Sequence, residues 1–236
     1  MAKKVHRMPK RTPNELAEAE PPAAGRESLP TPESSNTGHC TVVGFGASAG
    51  GLEAFSEVLA NMPLDSGLAL VLVQHLDPTH QSILTDLLAR ATPLPVHEVE
   101  DGMRVASNRV YVIPPNTSMT IEQGVLRLGE RGWGQVMPID IFLRSLAEAE
   151  GSKAIGVILS GTASDGTLGL KAIKAEGGIT FCQDPATAKY DGMPRSAIAA
   201  GCVDLMLSPK GIANELTRLV KHPYVSEVHL AEPEQA

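Results

Sequence analysis

One serine in this sequence stands where a strand-to-helix turn would hold a nucleophile. Ser48 lies in the small-residue segment 46–51, directly behind an apolar run at residues 40–43. A strand that turns sharply into a helix needs small side chains at the turn, and such a turn leaves the serine hydroxyl exposed. The unpaired N–H groups at the start of the helix could hold a developing oxyanion. Turns of this kind also bind phosphate, so the spacing alone leaves both functions open.

A histidine and an aspartate follow two other apolar runs. His75 comes directly after the run at residues 70–74, and Asp165 lies in a polar loop behind the run at residues 155–159. The carboxyl ends of parallel strands meet at one edge of a sheet, so Ser48, His75 and Asp165 are expected to converge as nucleophile, general base and orienting carboxylate. Singly, each has a structural alternative as a helix cap, a strand-end histidine or a turn residue. Their joint placement favours catalysis.

The hydrophobic pattern predicts the elements that would position these residues. Apolar runs alternate with amphipathic segments after residue 38, which is typical of strands buried on both faces between helices. Strands are predicted at 40–45, 68–74, 96–98, 109–113, 154–159, 179–182 and 204–207, helices at 51–60, 81–90, 139–149, 168–176, 194–200 and 210–219, and a hairpin from 119–122 and 124–128. The predicted fold is α/β, a doubly wound, mostly parallel sheet with helices on both faces and a β-hairpin insertion.

Composition divides the chain into three segments. Residues 1–37 mix charges of both signs with repeated prolines and lack apolar periodicity, so a disordered N-terminal tail is predicted. Residues 38–222 contain all the predicted elements and form the expected single domain. Residues 223–236 are predicted to be a flexible C-terminal tail.

Charge and cysteine content restrict the class of protein further. The net charge of −7 and the lack of a basic cluster with interleaved aromatics argue against a nucleic-acid partner. Cys40, Cys182 and Cys202 show no metal-ligand spacing and suit a reducing compartment. No apolar run is long enough to span a bilayer. We therefore expect a cytoplasmic protein without membrane insertion.

The glycine-rich turn also fits a dinucleotide-binding fingerprint. Residues 44–49 have the Gly-x-Gly-x-x-Gly/Ala spacing of nicotinamide-binding modules. The second strand, however, ends in Gln74 and His75 where an acidic residue would bind the ribose hydroxyls, and only Asp77 keeps this alternative open. A metal site at His75, Asp77 and His80 is disfavoured because the three have no recognised ligand spacing. We expect neither a cofactor nor a metal.

Five motifs in register resemble the catalytic domain of the CheB family, the chemotaxis protein-glutamate methylesterases. The likeness runs from about residue 40 to about residue 219. The motifs are GASAGG at 46–51, QH at 74–75, VMPIDIF at 136–142, LSGTASDG at 159–166 and DGMPR at 191–195. The GTASDG variant and the tract at 177–201 look closest to the branch of the family fused to a CheR-type methyltransferase.

The resemblance implies roles for the residues already singled out. Ser48 matches the family's nucleophile, His75 its general base and Asp165 its triad carboxylate. The implied substrates are glutamyl γ-methyl esters on the cytoplasmic domain of methyl-accepting chemoreceptors, with deamidation of glutamine as a second activity. The implied oxyanion donors are backbone N–H groups of Ala49 and of the loop around Thr162.

Further residues are expected to border the same cleft. Gly50 belongs to the nucleophile turn. In the family, the segment Met193, Pro194 and Arg195 lines the cleft, where Arg195 could meet an acidic receptor surface. The structural alternative is that Pro194 starts a helix and Met193 fills a gap in the core. The sequence alone favours neither function over the other.

The sequence departs from the family at two cleft positions and in its first segment. Many members have threonine in place of Ala49 and methionine in place of Thr162, although backbone donation survives both changes. The receiver domain usual at the family's N terminus has no counterpart in residues 1–37, so we expect constitutive activity or control by a partner, such as a CheR-type methyltransferase or a separate regulator. A catalytically idle interaction domain is disfavoured because all three triad side chains are present.

Overall fold

The computed structural model describes residues 40–74, 83–130 and 137–220. Ser48 and Asp165 lie within these ranges. His75 lies outside them, as do the predicted tails at 1–37 and 223–236 and the first two residues of the predicted helix at 81–90.

Strands and helices alternate along the described residues much as the hydrophobic pattern predicts. The strands are β1 (Thr41–Ala47), β2 (Leu68–Gln74), β3 (Val96–Glu98), β4 (Arg109–Val112), β5 (Thr117–Glu122), β6 (Val125–Glu130), β7 (Ile155–Ile158), β8 (Ile179–Gln183) and β9 (Leu205–Leu207). The helices are α1 (Gly51–Ala60), α2 (Ile83–Ala91), α3 (Pro138–Glu150), α4 (Thr167–Ala175), α5 (Gly192–Ala199) and α6 (Pro209–Val220). The ends differ only slightly from the predicted ends, as is usual for element boundaries.

Seven of the strands form one sheet in the order β3-β4-β2-β1-β7-β8-β9. All pairs in this sheet are parallel, while β5 and β6 pair as a separate antiparallel hairpin. The chain builds one half of the sheet outward from β1 and then crosses to β7 on the other side of β1. The carboxyl ends of β1 and β7 therefore form the switch point where such sheets place their sites. The predicted fold class is confirmed.

Helices cover both faces because strand side chains alternate between them. One apolar cluster joins the sheet to α3, α4, α5 and the hairpin, and the other joins it to α1, α2 and α6. On β2 the first cluster takes Ala69, Val71 and Val73, and the second takes Leu68, Leu70 and Leu72. The continuous apolar run in the sequence thus reflects burial on both sides rather than on one.

Glycines allow α3 and the loop before α4 to approach the sheet closely. A Cβ on Gly46 of β1 would lie 2.3 Å from Ile139 Cγ2 and 2.8 Å from Ile158 Cδ1. Gly166, at φ +90°, faces the same two isoleucines, since its Cβ would lie 2.3 Å from Ile158 Cδ1 and 2.8 Å from Ile139 Cγ2. Any larger residue at either position would push the start of α3 away from the carboxyl end of β1.

We expect Gly46→Ala to lower the free energy of unfolding by about 1–3 kcal/mol, because the added methyl group overpacks a closed contact. Gly211→Ala is the matched control. The nearest atom to its new Cβ is Leu207 Cβ at 3.2 Å, and its place in α6 favours alanine. Urea denaturation of both variants checks the expectation. Equal midpoints for the two variants would contradict the close contact at Gly46.

Candidate active site

Ser48 directly follows β1 and is half-buried. Its carbonyl oxygen accepts a hydrogen bond from the Gly51 amide at 2.9 Å, and its own amide donates to Ser160 O at 3.0 Å. Gly50 precedes α1 at φ +69°, and a Cβ on Gly51 would lie 2.5 Å from Ala47 Cβ. The small residues around Ser48 are therefore required by a left-handed turn and by contact with the end of the strand. This is the tight strand-to-helix turn that the sequence predicts.

The amides behind Ser48 are oriented by what their peptide groups bind. Because Ser48 O accepts from Gly51, the Ala49 N–H on the other side of that trans peptide faces away from the first turn of α1. Ser160 Oγ lies 2.8 Å from Ala49 O, so the Gly50 N–H faces away from Ser160. Neither amide donates to any residue within the described ranges. Both can serve an anionic oxygen at the start of the helix.

Ser160 joins three segments at the base of this turn. It is fully buried directly behind β7, and its amide donates to Gln183 Oε1 at 2.9 Å. Its hydroxyl lies 2.8 Å from Ala49 O and 3.2 Å from Tyr190 O, and it accepts from the Tyr190 amide at 3.0 Å. The serine turn, the end of β8 and the segment before α5 are thereby held together. Sequence reasoning did not single out Ser160 for this function, because it is one polar residue among several in its loop.

The loop after Ser160 passes directly beside Ser48. A Cβ on Gly161 would lie 2.9 Å from Ser48 Cβ, so only glycine permits this approach. Thr162 and Ala163 follow and are exposed. Ala163 has φ +67°, a left-handed conformation that is unusual for a residue with a side chain and that tends to occur at functional sites. The loop around Thr162 therefore lies beside the turn that carries Ser48.

Asp165 is 1% exposed and binds the start of α3. Its Oδ2 accepts from the Ile139 amide at 3.1 Å and its Oδ1 from the Asp140 amide at 2.9 Å. Pro138 occupies the preceding position and has no N–H to offer. The side chain of Asp165 therefore caps α3, a helix from a different part of the chain.

Asp140 is a buried polar residue beside the site that sequence reasoning did not single out. It is 4% exposed, and its Oδ1 accepts from the Gly169 amide of α4 at 2.8 Å. Burial raises the pKa of Asp140; the Gly169 hydrogen bond opposes this, and the negative charge of Asp165 raises the pKa further. An acidic residue in the first turn of a helix is ordinary, so its position carried no signal.

Met193, Pro194 and Arg195 do not form one surface. Met193 and Pro194 are buried in the first turn of α5, and the Met193 amide donates to Gly161 O at 2.9 Å. A Cβ on Gly161 would come within 2.1 Å of Met193 Sδ, so this methionine packs against the loop beside Ser48. Arg195 is exposed, with its Nε 2.6 Å from Asp191 Oδ2 one turn earlier. Only the arginine of this segment presents its side chain to solvent.

The register of β1 and β2 relates Ser48 to the predicted base. The last paired residues of the two strands are Ala47 and Gln74. Ser48 and His75 are the residues that follow these two in the sequence. His75 itself lies outside the described residues.

Buried thiols offer no competing nucleophile. Burial raises the pKa of Cys182 to about 12, assisted by the charges of Asp184 and Cys202, so its thiol stays protonated at neutral pH. Cys202 is also buried, and burial raises its pKa. Within the described ranges, no three His, Cys, Asp or Glu residues are grouped to hold a metal ion. None of the helices in those ranges is long and apolar enough to cross a membrane.

Three features define an α/β domain with hydrolase-type architecture. They are the open parallel sheet, the glycine-rich turn that carries Ser48 at its switch point, and the buried carboxylate on the neighbouring loop. The model of the CheB methylesterase family matches residues 43–216, and the chain belongs to this family. The family resemblance predicted from the five motifs is confirmed.

Individual relatives agree with this assignment. A solved structure, the CheB methylesterase catalytic domain of Thermotoga maritima, superposes with a TM-score of 0.71 at 30% identity over 77% of this chain and 100% of that one. A protein-glutamate methylesterase/protein-glutamine glutaminase of Carboxydothermus hydrogenoformans is 36% identical over 74% of this chain and 54% of its own length. An uncharacterised 104.1 kDa protein of Rhodobacter capsulatus is 44% identical over 63% of this chain. This chain spans only 16% of that relative.

We expect Ser160→Ala to lower the free energy of unfolding by about 1–3 kcal/mol, since it removes the hydroxyl shared by the Ala49 carbonyl and the Tyr190 amide. Ser152→Ala, at an exposed position, is the control and should change stability by less than about 0.5 kcal/mol. Urea denaturation with a common slope provides the comparison. Should Ser160→Ala cost no more than its control, the three segments are not held by this hydroxyl.

Proposed function

We propose that this chain is a protein-glutamate methylesterase, which hydrolyses glutamyl γ-methyl esters on chemoreceptors in chemotaxis or another chemosensory pathway and deamidates glutamine by the same route. The observation that carries the proposal is the placement of Ser48 on a glycine-bound turn beside the loop that leads to buried Asp165. Membership of the CheB methylesterase family supports it, and favours it over a dinucleotide-binding module or an idle interaction domain.

In the proposed reaction, Ser48 Oγ attacks the γ-carbonyl carbon of the methyl ester while His75 takes the hydroxyl proton. The tetrahedral intermediate collapses by breaking the bond between the carbon and the methoxy oxygen, and the imidazolium of His75 protonates the departing oxygen to give methanol. Water, activated by the same histidine, then attacks the acyl-enzyme. This second step releases glutamate and restores the Ser48 hydroxyl.

Backbone amides would stabilise the oxyanion of each tetrahedral intermediate. The Ala49 and Gly50 N–H groups lie at the start of α1, are oriented by hydrogen bonds to the neighbouring carbonyls, and have no acceptor among the described residues. Thr162, on the loop whose Gly161 approaches Ser48, would supply a further amide. Such donors are effective because they are already aligned before charge develops.

Asp165 would hold His75 in the tautomer that accepts a proton from Ser48 and would stabilise the imidazolium. Two amide hydrogen bonds from the first turn of α3 hold the Asp165 carboxyl group in place for this function.

The proposed partner is the cytoplasmic domain of methyl-accepting chemoreceptors, and exposed Arg195 is the cleft residue suited to an acidic receptor surface. A cytoplasmic location and a catalytic domain spanning residues 38–222 belong to the same proposal. A CheR-type methyltransferase, in the same chain or separate, is the proposed source of control.

The proposal predicts that the purified protein releases methanol from receptor carrying labelled methyl esters, and that Ser48→Ala abolishes this release because the acyl-enzyme cannot form. Counting volatile label measures the rate. Ser56→Ala, which removes a serine hydroxyl within α1, is the control and should keep the wild-type rate.

Equal release from the wild-type protein and Ser48→Ala would refute Ser48 as the nucleophile. If neither protein releases methanol, a serine-reactive phosphonate distinguishes the remaining causes. Labelling of Ser48 would indicate a competent site that needs an activating partner. A lack of labelling, with the fold intact, would refute the enzymatic proposal.

A further inference from the structure

The first turns of α3 and α4 exchange carboxylate caps. Asp165 lies just before α4 and accepts from the Ile139 and Asp140 amides of α3. In return, Asp140 of α3 accepts from the Gly169 amide of α4 at 2.8 Å. Each carboxylate thus satisfies backbone N–H groups that would otherwise lie unpaired in the interior. The two helix starts are therefore joined in both directions.

Neither helix is capped by the residue in front of it. Gly166 precedes α4 and Met137 precedes α3, and neither makes a side-chain cap hydrogen bond. At Gly166 a capping side chain cannot be accommodated, because a Cβ there would lie 2.3 Å from Ile158 Cδ1. Ser, Thr, Asp or Asn usually caps a helix from this position. Here the caps come from the neighbouring helix start instead.

We propose that Asp140 is a positioning residue for Asp165, which fixes the two α3 amides relative to the loop that carries the triad carboxylate. The inference rests on the proposed function, in which Asp165 orients His75. Gly169 lies only four residues beyond Asp165 in the chain. The hydrogen bond from the Gly169 amide to Asp140 therefore anchors the segment that bears Asp165. Loss of this anchor would leave α3 and the carboxylate free to separate at the point where they bind.

Asp140 could act through its negative charge or through the hydrogen bond that it accepts from Gly169, and two substitutions separate these contributions. Burial disfavours the charged form of this carboxyl, the Gly169 amide favours it, the charge of Asp165 opposes it and the guanidinium of Arg144 favours it. A hydrogen-bond anchor requires only an acceptor, which an asparagine oxygen also provides. Asp140→Asn therefore keeps the acceptor and removes the charge, whereas Asp140→Ala removes both.

Two measurements test the inference. Steady-state methanol release from methylated receptor should show kcat about 100-fold lower for Asp140→Ala at unchanged KM, because a shift of about 1 Å in a catalytic group is sufficient for such a loss. Asp140→Asn retains the hydrogen bond, so its kcat should be at least about tenfold higher than that of Asp140→Ala. Amide hydrogen exchange should be faster at residues 139 and 140 in Asp140→Ala, but not in Asp140→Asn.

Asp204→Ala is the matched control. The Asp204 carboxylate also binds a backbone amide across elements, since its Oδ2 accepts from Thr180 at 3.0 Å. Thr180 lies near the amino end of β8, whereas Ser48 follows the carboxyl end of β1, so the two lie at opposite ends of the parallel strands. This variant should lower the urea midpoint but leave kcat and the exchange of residues 139 and 140 unchanged.

The outcomes are distinct. Wild-type exchange rates and kcat in Asp140→Ala would overturn the inference, as would equal losses in the alanine and asparagine variants. A kcat loss of similar size in Asp204→Ala would show that the loss in Asp140→Ala comes from general destabilisation. That result would also overturn the inference. If the wild-type protein neither released methanol nor reacted with the phosphonate at Ser48, the proposed function would fail, and exchange at residues 139 and 140 would still decide whether Asp140 fixes those amides.

Discussion

The site depends on how closely the chain can approach the carboxyl end of β1. Gly46 and Gly166 face the same two isoleucines, and Gly161 lies directly against Ser48. At each of these positions a single methyl group would collide with a packed neighbour. Because protein interiors tolerate little added volume, the small residues determine where α3, α4 and the loop after β7 can lie. Polar groups from these segments can then meet within a few ångströms.

This close approach buries backbone N–H groups, and the carboxylates of Asp165 and Asp140 provide the acceptors that these groups require. Bringing two helix starts together in the interior leaves several N–H groups away from water, and each must find an acceptor. Asp165 and Asp140 satisfy them reciprocally. A side chain that caps a helix is thereby also fixed on the loop after β7, whose Gly161 approaches Ser48. A carboxyl group immobilised in this way would suit the orienting function proposed for Asp165.

Much of this could be predicted from the sequence because it depends on local patterns. Apolar runs located the strands, and their polar ends located Ser48 and Asp165 within the correct loops. The function of Asp165 as a cap on α3 could not be predicted, because its partners Ile139 and Asp140 lie more than 20 residues away in sequence. The same holds for Ser160, whose contacts with Ala49 and Tyr190 arise only when three strand ends are brought together. Periodicity reports burial, but not which distant amide a polar atom binds.

Two serines near neighbouring strand ends, Ser48 and Ser160, differ in environment, and this difference bears on which of them is proposed as the nucleophile. Ser160 is fully buried and its hydroxyl is shared between Ala49 and Tyr190, so attack on a substrate would require breaking an internal network. Ser48 is half-buried just before a helix, and the Ala49 and Gly50 amides behind it donate to no acceptor among the described residues. An oxyanion formed at Ser48 would have these donors nearby, whereas the Ser160 hydroxyl lies 2.8 Å from Ala49 O and 3.2 Å from Tyr190 O. Ser160 thus holds the turn, and this difference in environment supports the proposal that Ser48 is the nucleophile.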